Sequence, residues 1–330
     1  MSMLAETIAK RRQDWERLEQ VIGQVSARSL SGSPAELVIE LSELYRRACA
    51  DLAMAEQYHL SPAMVDYLHA LVGSAHNTLY RSQRFQFQKW LDLAFRYAPR
   101  AIYRDACVQA VALLFFGLFS LSAFLAYNEA TFPRFAEQVI GAEQIDGMEE
   151  SFREPLGRDV ASGIVMVAFY IQHNTGIGFQ CFALGPLILP GLFATVFNAV
   201  FLGACFGYMA RPGVEGGDHF LEFVTAHGAF ELTAIALSAG AGLRIGIRGW
   251  LFTGGLTRTA SLQKASREAL PVICVAGTLF FLAALTEGLI SPTSIPYLFK
   301  AMWLILSSTL LMFYFVVLGY PEPDVATRQD

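Results

Sequence analysis

Polar and ionisable side chains stand within the long apolar stretches of this 330-residue chain. Each ionisable group costs about 2.5–3.5 kcal/mol at the centre of a membrane-spanning helix, so it needs a partner or a function. His227 and Glu231 are four residues apart and therefore share one face of a helix. An imidazole beside a carboxylate can form a hydrogen bond, transfer a proton or bind a metal ion. The predicted intramembrane polar cluster consists of His173, Asn174, Asn198, His227, Glu231, Glu287 and Lys300.

Three interpretations of this cluster follow from its residue types. The first is a buried structural network, in which hydrogen bonds of about 0.6–2 kcal/mol each fix the orientation of the helices. The second is a path or pocket for a proton, an ion or a small ligand, and the third is a metal or hydrolytic site. We favour the first, because H-E-x-x-H is absent and no third metal ligand stands at a known spacing. The sequence therefore predicts no metal and no cofactor at the cluster.

Motifs of the common enzyme classes are absent from the sequence. It contains no G-x-S-x-G, no Walker A motif and no G-x-G-x-x-G after a predicted strand. We therefore predict that the protein is not an enzyme, and we assign no catalytic residue. The net charge of −5 comes mostly from one acidic loop, so the charge balance predicts no nucleic-acid partner.

The elements that must position the cluster are transmembrane helices. Only 16% of the residues are charged, whereas soluble domains carry about 25%. The deficit is confined to 106–320, because 1–105 has the composition of a soluble helical domain. The pattern predicts an all-α polytopic membrane protein with a cytoplasmic helical domain at 1–105, a transmembrane bundle at 106–320 and a short cytoplasmic tail at 321–330. The five cysteines stand apart, so neither a disulfide framework nor a Cys-based metal site is predicted.

Two Ser-Pro pairs in the first domain indicate where helices start. A proline suits the first helical position, so Pro34 and Pro62 each begin a predicted helix. A basic amphipathic stretch follows and precedes the first apolar run, which places it at the level of lipid headgroups. The predicted helices are Leu4 to Val25, 34–58, 62–81 and Phe85 to Tyr103.

The bundle holds six apolar segments of the length that crosses a bilayer, about 20 residues each. The second and third are joined by an uncharged turn at Gly185-Pro186, so a re-entrant segment within 161–210, giving five spans, is the alternative. Gly240, Gly242 and Gly246 lie along the fourth span, where we predict close approach of helix backbones. The predicted spans are 106–127, 161–184, 190–210, 225–246, 269–290 and 297–319.

The charges of the loops predict the orientation of the chain. The predicted loop 244–267 carries five cations and no acid before Glu268, whereas 128–160 is rich in acids. The positive-inside rule therefore places both termini in the cytoplasm of a multi-pass cell (inner) membrane protein. In that orientation His227, Glu231, Glu287 and Lys300 lie at similar depth in the outer half of the membrane, where Lys300 could neutralise a glutamate.

The order of these residues resembles the stage II sporulation protein M (SpoIIM-like) family of bacterial and archaeal membrane proteins. His227-Gly228 with Glu231 matches the family pattern, and Glu287 with Ser291-Pro292 is similar to its Glu-aromatic-x-[TS]-Pro stretch. His173 stands where the family usually has an asparagine, and Ala199 stands after Asn198 where glycine is usual. The front of the longer members is matched by Glu43-Leu44-Tyr45 with Ala48, Asp51-Leu52-Ala53 and the stretch Leu68 to Tyr80.

The resemblance implies a non-enzymatic scaffold or assembly component of a cell-envelope complex. The family's namesake acts in spore formation as a membrane scaffold for two peptidoglycan-degrading enzymes. Other relatives are encoded near a MoxR-type ATPase, a DUF58 protein and RDD-type membrane proteins. The resemblance therefore implies cytoplasmic and membrane proteins as partners, besides membrane lipid and a second copy of the chain. A transporter or channel subunit that uses the His/Glu cluster is the alternative function.

Overall fold

A computed structural model describes residues 3–28, 33–80, 87–155, 157 and 160–320. All regular elements in these ranges are helices, which confirms the predicted all-α class. The chain divides into two compact units, Met1–Gln86 and Phe87–Asp330. The predicted tail at 321–330 lies outside the described residues.

The first unit is a bundle of three helices, α1 (Met3–Arg28), α2 (Ala35–Gln57) and α3 (Pro62–Leu79). Apolar residues three or four positions apart form one buried stripe on each helix. The indole N–H of Trp15 donates to Asp51 Oδ2 at 2.8 Å, which satisfies the polar atom of this buried ring. The three predicted helices are therefore confirmed to within a few residues. The core includes Trp15, Leu18, Val21, Leu41, Leu44, Leu68, Leu71 and Ala75.

The second unit starts before the first apolar span. Helix α4 (Phe87–Asp92), a π-helical turn at Leu93–Tyr97 and α5 (Ala98–Arg104) follow one another without a break. Ala98 and Ile102 are buried, and the Tyr314 hydroxyl donates to the carbonyl of Ala94 at 2.6 Å. The boundary between the two domains was predicted after residue 105, where the apolar segments begin. In the structure the basic segment 87–105 packs on the bundle and belongs to the second unit.

The bundle is built from longer helices than the apolar segments alone predict. Two short helices, α7 (Phe135–Ile140) and α8 (Ala142–Phe152), occupy the acidic segment that was predicted as a loop. They form because Ala136, Ile140 and Ile145 bury an apolar face against Ala126 and Ala204. The long helices are α6 (Ala106–Tyr127), α9 (Val160–Leu184), α10 (Leu189–Met209), α11 (Gly217–Gly246), α12 (Arg258–Leu289) and α13 (Tyr297–Met312).

Five of these helices, as far as the chain is described, are long and apolar enough to cross a membrane. Helix α9 has 25 residues but is not among the five, because Gln172, His173 and Asn174 lower its hydropathy. It is nevertheless continuous, and a 3-10 turn at Gly185–Leu187 joins it to α10. The predicted segments 161–184 and 190–210 are thus two separate helices. The five candidate spans are Ala106–Tyr127, Leu189–Met209, Gly217–Leu251, Arg258–Leu289 and Tyr297–Val317.

The predicted basic loop 244–267 is mostly helical. Helix α11 continues through a π-helical turn to Leu251, and α12 begins at Arg258, so the connection is only 252–257. Gly254 and Gly255 have φ angles of 61° and 81°, which glycine adopts without strain. Hydropathy finds the end of the apolar segment rather than the end of the helix, and the five cations lie on helix ends instead of in a long loop.

Helix α11 is the central helix of the bundle. It packs against α6, α9, α10, α12 and α13. In its most apolar segment 67% of the residues are buried, against 11% for the last span. A Cβ atom at Gly240 would lie 2.8 Å from Val108 Cα, and one at Gly246 would lie 2.7 Å from the Gly185 carbonyl oxygen. These distances are too short for a side chain, so the glycines allow backbones to pack directly against one another.

Candidate functional site

The polar cluster lies where α9, α11 and α12 pack against one another. His227 and Glu231 are neighbours in the cluster because they share one face of α11. Glu287 lies in the last turn of α12, and the chain then turns because the N–H groups of Ile290 and Ser291 both donate to the Thr286 carbonyl. That turn places Ser291 beside α11.

Two hydrogen bonds and one longer contact define the geometry of the cluster. His227 Nδ1 lies 2.9 Å from Ser291 Oγ, and His227 Nε2 faces Glu231 Oε2 at 3.7 Å. Asn174 Nδ2 donates to Glu287 Oε2 at 2.9 Å. One ligand atom each from His227, Glu231 and Glu287 lies within 4.8 Å of the other two. The structure therefore brings together four residues of the predicted cluster.

Lys300 has a different partner from the one predicted. Its side chain is buried, but Nζ donates to the backbone carbonyl of Ser291 at 2.9 Å rather than to a glutamate. The carbonyl is available because Ser291 follows the end of α12, where no further helical turn uses it. Lys300 therefore supports the turn that positions Ser291.

His173 and Asn198 lie apart from the cluster. His173 is exposed, and its ring stacks on Phe169 with the centroids 5.6 Å apart. Successive residues of a helix point about 100° apart, so Asn174 faces the bundle while its neighbour His173 faces outward. Asn198 Nδ2 donates to the Ala194 carbonyl in its own helix at 2.8 Å.

Ser291 was missed as a member of the cluster. Its spacing was a usable signal, because Ser291 follows Glu287 by four residues and precedes a proline. The serine also lines a small cavity of about 200 Å³, together with Lys300, Glu222 and His219. His227, Glu231 and Glu287 are not among the residues that line this cavity. Ser291 is thus shared between the cavity and the cluster.

A second ionic network lies near the other end of α11. The Arg244 guanidinium contacts Asp105 and donates to Glu268 Oε2 at 2.5 Å. Asp105 is buried and also caps α6, since its Oδ1 accepts from the N–H of Cys107 at 2.9 Å. The sequence pattern does not indicate this network, because Asp105 and Arg244 are far apart in the chain.

A basic cleft of about 780 Å³ adjoins this second network. Six cations line it, against the two acids Asp92 and Glu268. An excess of cations of this kind attracts phosphate and other anions. The cationic residues of the cleft are Lys89, Arg96, Arg100, Arg104, Arg244 and Arg248.

The chain matches two family models. Residues 5–81 match a domain of unknown function, DUF8413. No curated protein and no solved structure matches the chain significantly. Residues 111–292, more than half of the chain, match the model for stage II sporulation protein M, and they contain the whole cluster except Lys300. The chain therefore belongs to the SpoIIM family.

Proposed function

We propose that this protein is a non-enzymatic integral membrane scaffold of a cell-envelope complex. The observation that carries the proposal is the way in which the polar residues tie helices together. Asn174 links α9 to α12, His227 links α11 to the end of α12, and Lys300 links α13 to the same turn. Such contacts hold several spans in one arrangement, which is what a surface for assembly requires.

The first unit suits the role of a cytoplasmic binding module. It has its own apolar core, and large apolar side chains remain on its surface, namely Ile39, Tyr58 and Tyr80. A MoxR-type ATPase or a DUF58 protein is a partner of the expected kind, and RDD-type proteins are candidates within the membrane. The sparsely buried helix α13 would contact lipid or such a membrane partner.

The proposed orientation places the basic cleft at the cytoplasmic face of the cell membrane, with both termini on that side. The cleft lies beside the end of the spans, where Lys and Arg side chains contact anionic lipid headgroups. A reporter fused after residue 150 should be outside and one after residue 258 inside, because the basic segments stay in the cytoplasm. Both reporters on one side would contradict this orientation.

The proposed function is tested by copurification of the full-length chain from its native membrane. We expect a specific partner to remain bound to the wild type and to be lost from Ile39→Glu, because a charge disrupts an apolar contact surface. Glu43→Gln is the matched control, since Glu43 is another exposed residue of α2. Partners that bind the wild type and Ile39→Glu equally would exclude this surface, and a chain that copurifies with no other protein would argue against a scaffold.

Transport remains the second candidate, and the cavity that reaches Ser291 is the observation that favours it. A path from outside through this cavity would arrive at the hydroxyl that contacts His227. Protein reconstituted into vesicles distinguishes the two functions. A scaffold should carry neither protons nor divalent cations, whereas flux that depends on Glu287 would favour a transporter.

A further inference from the structure

We infer that His227, Glu231 and Glu287 form a binding site for a divalent transition-metal ion, for which Zn²⁺ is the first probe and Mn²⁺ the second. The bound ion would link α11 to α12 within the bundle. The site goes beyond the scaffold function, which does not depend on it. The sequence predicted no metal because the third ligand stands in another helix, 56 residues after Glu231 by the difference of their numbers.

The spacing of the donor atoms fits a shared ion better than direct hydrogen bonds. His227 Nε2 and Glu231 Oε2 are 3.7 Å apart, which is too long for a hydrogen bond. Ligand atoms around one zinc ion lie roughly 3–3.5 Å apart, since each is about 2.0–2.2 Å from the metal. The three donor atoms lie within 4.8 Å of one another, so side-chain movements of about 1 Å would complete the site.

The surrounding contacts orient two of the ligands. Ser291 Oγ lies 2.9 Å from His227 Nδ1, and this contact leaves Nε2 facing Glu231. Asn174 donates to one oxygen of the Glu287 carboxylate at 2.9 Å. Metal-binding histidines and carboxylates in proteins are held by outer hydrogen bonds of this kind, which fix the ring and the carboxylate for coordination.

The charges of the cluster also favour a cation. Two glutamates, one buried and one largely buried, lie next to a histidine where α11 and α12 are in contact. Two carboxylates this close in an apolar interior repel each other unless a proton or a cation neutralises them. A divalent ion bound to both carboxylates would make the site neutral overall.

The chemistry of the donors narrows the choice of metal. One imidazole nitrogen and two carboxylate oxygens suit Zn²⁺ or Mn²⁺, whereas Cu⁺ prefers sulfur ligands. Three protein ligands leave one coordination position for water or another small ligand.

The test measures metal bound to the full-length protein in detergent, purified with a tag that contains no histidine. After chelation and reloading with Zn²⁺, elemental analysis should find about one ion per wild-type chain. His227→Gln and Glu287→Gln should each lower the zinc affinity at least about tenfold. His173→Gln is the control, because this exposed histidine lies outside the site, and its zinc binding should equal that of the wild type.

A second measurement separates a lost site from a misfolded variant. Zn²⁺ should raise the Tm of the wild type and of His173→Gln but not that of Glu287→Gln, because only a native state that binds the ion gains stability. The comparison holds even where a variant has a lower Tm without metal. Wild-type protein that retains neither Zn²⁺ nor Mn²⁺ would overturn the proposal, as would a Glu287→Gln variant that binds zinc as tightly as the wild type.

Discussion

Helix α11 carries two ionic networks that differ in how their charges are balanced. In its first half, His227 and Glu231 lie close to Glu287, and Asn174 and Ser291 make hydrogen bonds to this group. Near its end, the Arg244 guanidinium lies between Asp105 and Glu268. His227 and Arg244 are about 25 Å apart along the helix axis, because each residue of an α-helix adds about 1.5 Å.

Both networks contain carboxylates in the interior of the bundle, whose charge must be compensated, and they compensate it in different ways. The Arg244 network contains its own cation, and a basic cleft of about 780 Å³ adjoins it. The His227 cluster instead makes hydrogen bonds with neutral side chains, Asn174 and Ser291, and in our proposal it also binds an ion. We therefore expect the stability of the first network to fall when the arginine is lost, and that of the second to depend on metal and on whether residue 287 can accept a hydrogen bond from Asn174.

Replacing Arg244 with methionine should have the largest effect. The change leaves Asp105 buried without its cation, and a buried pair broken in this way loses about 3–5 kcal/mol. Thermal unfolding in detergent measures the effect. Arg248→Met is the control, because Arg248 lines the same cleft but is exposed. Equal stability of the two variants would show that the Asp105 contact does not stabilise the bundle.

Replacing Gly242 with alanine tests the helix segment between the two networks. A Cβ at Gly242 would lie 2.9 Å from Phe182 Cα, so α11 and α9 would have to move apart. Overpacking of this kind costs about 1–3 kcal/mol. Gly277→Ala is the matched control, because nothing lies within 4 Å of its Cβ position and alanine favours a helix. Destabilisation by both changes would mean that the close contact at Gly242 is not the cause.

In the presence of a chelator, substitutions at Glu287 should lower the stability by as much as Gly242→Ala does, or by less. Leucine leaves Asn174 without its acceptor, which costs about 1–3 kcal/mol for an unsatisfied buried group. Glutamine keeps an oxygen that accepts from Asn174 Nδ2 and removes a buried charge, so its metal-free Tm should stay close to that of the wild type. The measurement is thermal unfolding of both variants with and without chelator. A glutamine variant as unstable as the leucine variant without metal would show that the charge itself holds the fold.

The elements of the fold follow closely from the sequence, and the contacts between them do not. Apolar runs of about 20 residues predict Ala106–Tyr127 to the residue, because burial in a bilayer leaves a strong local signal. The spans at 225–246 and 269–290 were predicted to start too late, because α11 and α12 begin at Gly217 and Arg258 in segments that also contain charged residues. The acidic segment was read as a loop because its short helices are stabilised by contacts with α6 and α10.

Within the cluster, the sequence by itself determined only the pair on one helix. His227 and Glu231 are neighbours on α11 because the helical repeat places residues four apart on one face. Only the tertiary structure decided that Glu287 and Asn174 join them, that His173 faces outward and that Lys300 binds the Ser291 carbonyl. The physical reason is that rotation of each helix about its axis depends on packing between small residues of different helices, and no local pattern in one helix records how its neighbours are turned.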